Sequence, residues 1–64
     1  LFDKGLDKIL KKCGEEATEI VIAAKNPNEK EIVYEMSDYL YHMMVLMVEK
    51  GVSWNDITDE LPRR

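Results

Sequence analysis

The sequence predicts an all-α fold: an antiparallel helical hairpin followed by a short C-terminal helix. Three observations predict it. Apolar residues recur at helical spacing through two long segments, one on each side of a single Asn-Pro-Asn break. That break is short, so the two helices it joins must be antiparallel neighbours. A glycine closes the second segment, and a Ser-Trp-Asn-Asp run opens a third.

The first helix is expected from Leu1 to Lys25. At about 100° per residue, Leu6, Ile9, Leu10, Cys13, Ala17, Ile20, Val21 and Ala24 share an arc roughly 120° wide. Such a stripe faces a core. Gly5 and Gly14 each cost about 1 kcal/mol in a helix interior. Gly5 offers a late helix start. Gly14 precedes an acidic cluster, where its missing side chain either lets a neighbour come close or is simply tolerated.

Pro27 disfavours helical geometry at Asn26, so the first helix should end near Lys25. Two caps are open to the second helix: Asn26 with Pro27 at the first helical position, or Asn28 with Glu31 three residues on. The second helix then runs from Glu29 to Lys50 and stops at Gly51. Ile32, Val33, Met36, Tyr39, Leu40, Met43, Met44, Leu46 and Met47 cover about 160° of it, and Tyr34, Tyr41, Val45 and Val48 widen that arc. A helix apolar over so much of its circumference is buried on more than one side. Two helices cannot supply that burial, so the expectation is a homo-oligomer that builds a four-helix core. The four methionines read as core filler. Ser53 caps the third helix with Asp56 at the third helical position. That helix should run to about Leu61 and stop at Pro62, with Trp54, Ile57 and Leu61 folding back onto the bundle.

Composition narrows the function. The 64 residues make a single domain, 1–64, and a domain of this size rarely draws more than about 3–5 kcal/mol from its own core. One cysteine and one histidine exclude an intrachain disulfide and a Cys/His zinc site. A net charge of −4 argues against nucleic acid, which needs a basic face. No apolar run reaches the length of a membrane span and nothing resembles a signal peptide, so a cytoplasmic protein is expected. The chain opens on Leu1 rather than Met and is expected to be part of a longer one.

The chemistry lies in two acidic groups. Glu15, Glu16 and Glu19 crowd one turn of the first helix, where like charges cost about 0.2–0.5 kcal/mol per pair. Glu16 borders the apolar stripe. Glu31, Glu35, Asp38 and His42 lie within about 60° on the second helix, a polar strip on an apolar element. An isolated acidic cluster is most simply a solvated face. Here two clusters occur on consecutive antiparallel helices, and Glu16 and Asp38 adjoin apolar positions. Carboxylates from two facing helices suit Mg²⁺, which prefers oxygen ligands. Bound there, the ion would engage phosphate oxygens and neutralise charge at phosphorus, and a spare carboxylate could act as general base. Lys12 either pairs with Glu16 one turn on, the role its spacing favours, or reaches substrate phosphate. Lys25 suits a helix C-terminus, and His42 is a base, a phosphate contact, a metal ligand or a hydrogen-bonded structural residue. Cys13 is a small side chain of the stripe.

Glu15-Glu16-x-x-Glu19 followed by Glu35-x-x-Asp38 resembles the signature of the all-α nucleoside triphosphate pyrophosphatase superfamily. Lys11-Lys12-Cys13-Gly14-Glu15-Glu16-Ala17-Thr18-Glu19, then Ala23-Ala24-Lys25-Asn26, then Asp38-Tyr39-Leu40-Tyr41-His42, together with Leu1-Phe2-x-x-Gly5-x-x-Lys8-Ile9, resembles the phosphoribosyl-ATP pyrophosphatase family of histidine biosynthesis. The resemblance runs from Leu1 to about Gly51. It implies Mg²⁺-dependent hydrolysis of phosphoribosyl-ATP to phosphoribosyl-AMP and pyrophosphate by an α-helical homodimer. It also implies a metal shell of Glu15, Glu16, Glu19, Glu35 and Asp38, with Lys12, Lys25, Asn26 and His42 as substrate contacts. Three departures stand out: no Ser-Tyr-Thr-like segment precedes Leu1, Pro27 stands where the family often has glycine, and Cys13 replaces an aliphatic residue. Many relatives carry a cyclohydrolase domain for which these residues leave no room, so a separate enzyme is expected for the next reaction. Two alternatives are a house-cleaning nucleoside triphosphate pyrophosphatase of the same superfamily and a non-catalytic helical dimerisation module.

Overall fold

A computed structural model describes residues 2–64, with side chains from Gly5 onward. It contains three α-helices, α1 (Phe2–Ala24), α2 (Glu29–Lys50) and α3 (Trp54–Glu60), followed by a 3₁₀ turn at Leu61–Arg63. No strand occurs among the described residues. The all-α hairpin is therefore present. Leu1, the expected start of the first helix, lies outside the described residues. Gly5 lies within α1 and does not mark its start.

The element ends follow local chemistry. Two tightened bonds, Lys25 N–H to the Ile22 carbonyl and Asn26 N–H to the Ala23 carbonyl, end α1. Asn28, not Asn26, caps α2: its side chain accepts from Lys30 N–H. Asn26 instead braces the turn, accepting from Asn28 N–H and donating Nδ2–H to Glu31. Glu31 is thereby drawn into the turn, so the reciprocal Asn28–Glu31 box does not form. Gly51, at φ 69°, takes the left-handed conformation that glycine accepts without a Cβ clash. Gly51 N–H bonds back to the Val48 carbonyl and Val52 N–H to the Met47 carbonyl, a Schellman closure. Ser53 and Asp56 form a reciprocal capping box on α3. The chain tightens through Pro62 instead of stopping at it.

α1 packs on α2, and α3 packs only on the 3₁₀ turn. The α1–α2 seam repeats every three and four residues. Leu6, Ile9, Cys13, Glu16, Ile20 and Ala23 are its α1 members, and Ile32, Glu35, Tyr39, His42 and Leu46 its α2 members, all buried or half-buried. Leu10, Ala17, Val21 and Ala24, expected in the core, are exposed in the single chain. Glu16 is not at the border of the stripe but within the seam, at 4% exposure. A methyl group at Gly14 would meet nothing within 4 Å, so that glycine does not serve a close approach in this chain.

The hairpin buries little else. Ala23 is the one fully buried apolar residue among those described. Val33, Met36, Leu40, Met44 and Val48 are exposed, as are Trp54 and Leu61, which do not fold back onto the hairpin. The radius of gyration is 13.6 Å, against about 11 Å for a compact domain of this length. The chain exposes 5438 Å², roughly a quarter more than the ~4,200 Å² typical of a folded monomer of its mass. No helix among the described residues is long and apolar enough to cross a membrane.

Candidate functional site

The antiparallel register brings polar residues of the two helices and their turn together. Asn26 meets Glu31 near the turn, and Glu16 meets His42 further along. His42 Nδ1 lies 2.6 Å from Glu16 Oε1 and 3.1 Å from the Asp38 carbonyl oxygen. Both neighbours are acceptors, so Nδ1 carries the proton and donates it. The Tyr41 ring stands edge-on to the imidazole, with centroids 5.0 Å apart. Ligand-type atoms of Glu16, Asp38 and His42 all lie within 4.8 Å of one another. This trio offers a carboxylate-rich seat for a divalent cation.

The remaining predicted residues divide around that trio. Glu35 is half-buried one turn before Asp38 and Tyr39 on α2. Together with Glu19, Asn26 and Glu31 it lines a pocket of about 190 Å³ at the turn end of the seam. Burial pushes the Glu35 carboxyl above its ordinary value, and the neighbouring charges of Glu19, Asp38, Glu16 and Glu31 push it further in the same direction. A half-buried carboxylate ringed by other acids, as Glu35 is, marks a site short of positive charge. A divalent cation would supply that charge, and the oxygen donors suit a hard ion. Glu15 is exposed on α1 and belongs to neither the trio nor the pocket.

The predicted cations stay apart from the acids. The expected Lys12–Glu16 ion pair is absent, because Glu16 turns inward to His42 while Lys12 stays exposed. Lys25 follows the end of α1 and is exposed. Asn26 has both ends of its amide engaged in the turn. Cys13 is half-buried in the seam, with its thiol free. Sequence reasoning missed the Glu16–His42 bond and the place of Glu31 in the acidic pocket. Glu31 was visible on the polar strip of the second helix. The bond had no local signal, because its partners are 26 residues apart.

Comparison with known proteins adds an independent result. The sequence model described as phosphoribosyl-ATP pyrophosphohydrolase matches residues 1–64. The chain is 67% identical over its whole length to a histidine biosynthesis bifunctional protein of Caldanaerobacter subterraneus subsp. tengcongensis, covering 31% of that protein. It is 61% identical to a phosphoribosyl-ATP pyrophosphatase of Lactiplantibacillus plantarum, covering all of the chain and 60% of the relative. It is 59% identical to a phosphoribosyl-ATP pyrophosphatase of Leptospira biflexa serovar Patoc, covering all of the chain and 70% of the relative. The chain thus spans between 31% and 70% of the length of these curated relatives.

Proposed function

This chain belongs to the phosphoribosyl-ATP pyrophosphohydrolase family, and from that premise we propose that it hydrolyses phosphoribosyl-ATP to phosphoribosyl-AMP and pyrophosphate in histidine biosynthesis, with Mg²⁺ as cofactor. The observation that carries the reading is the convergence of Glu16, Asp38 and His42 within 4.8 Å, next to a Glu35 whose proton affinity is raised by burial and then by the charges of Glu19, Asp38, Glu16 and Glu31. A purely solvated acidic face would not bury Glu16 to 4% exposure.

Glu16, Glu19, Glu35 and Asp38 would hold the ion, with Glu15 the outermost candidate. Bound Mg²⁺ supplies charge neutralisation for the phosphate oxygens and for the leaving pyrophosphate. In the reaction a water oxygen bonds to phosphorus, the anhydride bond to pyrophosphate breaks, and one carboxylate takes the water's proton. A carboxylate not fully used as a ligand would serve that role. Lys12 and Lys25, exposed and without an ion pair among the described residues, are available to substrate phosphates.

A second copy of the chain completes the unit. Met36, Leu40 and Met44 stay exposed on α2, and a helical pair with so small a core gains stability by covering them with another hairpin. The reading places a single pyrophosphohydrolase domain at 1–64 of a cytoplasmic homo-oligomer. The decisive assay is pyrophosphate release from phosphoribosyl-ATP by the full-length protein, with and without Mg²⁺. Release that needs the metal is expected. Strong turnover of ordinary nucleoside triphosphates with none of phosphoribosyl-ATP would transfer the site to a house-cleaning role.

A further inference from the structure

Glu16 is the most buried charged side chain of the described chain, and its single hydrogen-bond partner is His42. Only Oε1 takes part. Among the described residues no buried side-chain polar atom is left without a partner and no hydrogen bond reaches Oε2, so Oε2 is not sealed from solvent. The two oxygens therefore have separate circumstances: one is held and the other is open. The proton on Nδ1 is also shared with the Asp38 carbonyl at 3.1 Å, which ties the imidazole to the turn that carries the Asp38 carboxylate. One ring thus fixes the relative placement of the two carboxylates, across the seam and along α2.

We propose that His42 is a positioning residue: its Nδ1–H holds Glu16 Oε1, so that Oε2 and the Asp38 carboxylate are presented together to a divalent cation. It acts through Nδ1 and makes no contact with substrate. The physical gain is preorganisation. A glutamate has three side-chain torsions, and freezing them before the ion arrives removes that cost from binding. This role deepens the proposed function and rests on its metal-site reading.

The two ring nitrogens can be tested separately. Asparagine carries an N–H donor one bond beyond Cγ, where His42 carries Nδ1, whereas glutamine carries it further out, towards the place of Nε2. Mn²⁺ binding to the full-length protein, followed by electron paramagnetic resonance, reports on the site without turnover. His42→Asn should stay within a few-fold of wild type, and His42→Gln and His42→Leu should lose about 10- to 100-fold in Mn²⁺ affinity, the range for partners that orient metal ligands. In the assay, kcat should fall for Gln and Leu while KM for phosphoribosyl-ATP holds. Glutamine retaining affinity while asparagine loses it would overturn the proposal, as would equal binding by all three variants or a raised KM at unchanged kcat. Nitrogen NMR of metal-free wild type adds a test that needs no variant: the neutral imidazole should carry its proton on Nδ1, and a proton on Nε2 instead would overturn the proposal. Failure of wild type to bind Mn²⁺ at all would overturn the metal-site reading and this role with it, whereas wild-type binding with indifferent variants overturns this role alone.

Discussion

The hairpin and the C-terminal helix are held by opposite means. α3 is seven residues long and is organised by neighbours in sequence: the Ser53–Asp56 box at its start and the Glu60 pairs with Arg63 and Arg64 at its end. Among the described residues nothing from α1 or α2 packs on it. The hairpin depends on contacts between residues far apart in sequence, and the strongest polar one is Glu16–His42. Isolated helices shorter than about 12–15 residues are marginal in water, and in proteins packing supplies most of the stability. The short helix therefore needs its caps, while the long pair needs its seam, and the proposed second copy would cover its outer apolar face. The candidate site lies where distant residues meet, because only there can carboxylates from two helices surround one point.

Five substitutions separate these two regimes, from the largest expected effect to the smallest. Glu16→Gln or Asp38→Asn should remove Mg²⁺-dependent pyrophosphate release by more than the roughly 10- to 100-fold typical of residues behind the ligands. Circular dichroism should still show the helical fold, because both amides keep the shape of the acids. Full activity in either variant would take the metal shell away from the seam. Leu40→Asp comes next. It places a charge on the exposed apolar face of α2 and removes burial worth about 1.5–3 kcal/mol if a second copy covers it. Sedimentation velocity should show dissociation, and an unchanged molecular mass would mean that this face is not covered.

Ser53→Ala should cost about 1 kcal/mol, confined to α3. Hydrogen exchange should accelerate at residues 54–60 and hold steady through the α1–α2 seam. The capping bonds from the Ser53 backbone and side chain keep Asp56 below its ordinary value of 3.8. Its contribution is therefore present above that value and is lost as pH falls through the lower folded value. The smallest effect is on Glu35. Its carboxyl is raised above 4.5, so the folded state binds its proton more tightly than the unfolded chain does. Without metal, stability should fall as pH rises from 4.5 through that higher value. Glu35→Gln should flatten that slope and raise the melting temperature at neutral pH. A wild-type slope retained in the variant would remove Glu35 from the strained cluster.

Much of this was legible in the residues. Pro27, Gly51 and Ser53 set the ends of three helices through backbone restrictions that act within a few positions. The acidic residues Glu16, Glu35 and Asp38 were visible as two clusters, since helical spacing alone puts them on two faces. The choice of Asn28 over Asn26 as cap was not legible, because both carry the same amide and only the path of the turn separates them. Nor was the partner of Glu16: helical spacing favoured Lys12, one turn away, and packing delivered His42 instead.

By itself the sequence determined the helices, their antiparallel order and the identity of the acids, because each depends on torsional preferences and periodicity within one segment. The tertiary structure decided which members of each apolar arc form the seam, that Glu16 lies inside it, and that His42 reaches across to hold it. Those outcomes depend on the rotation and register of one helix against the other. Helical periodicity fixes a residue's angle on its own helix and carries no information about the sliding or turning of its neighbour.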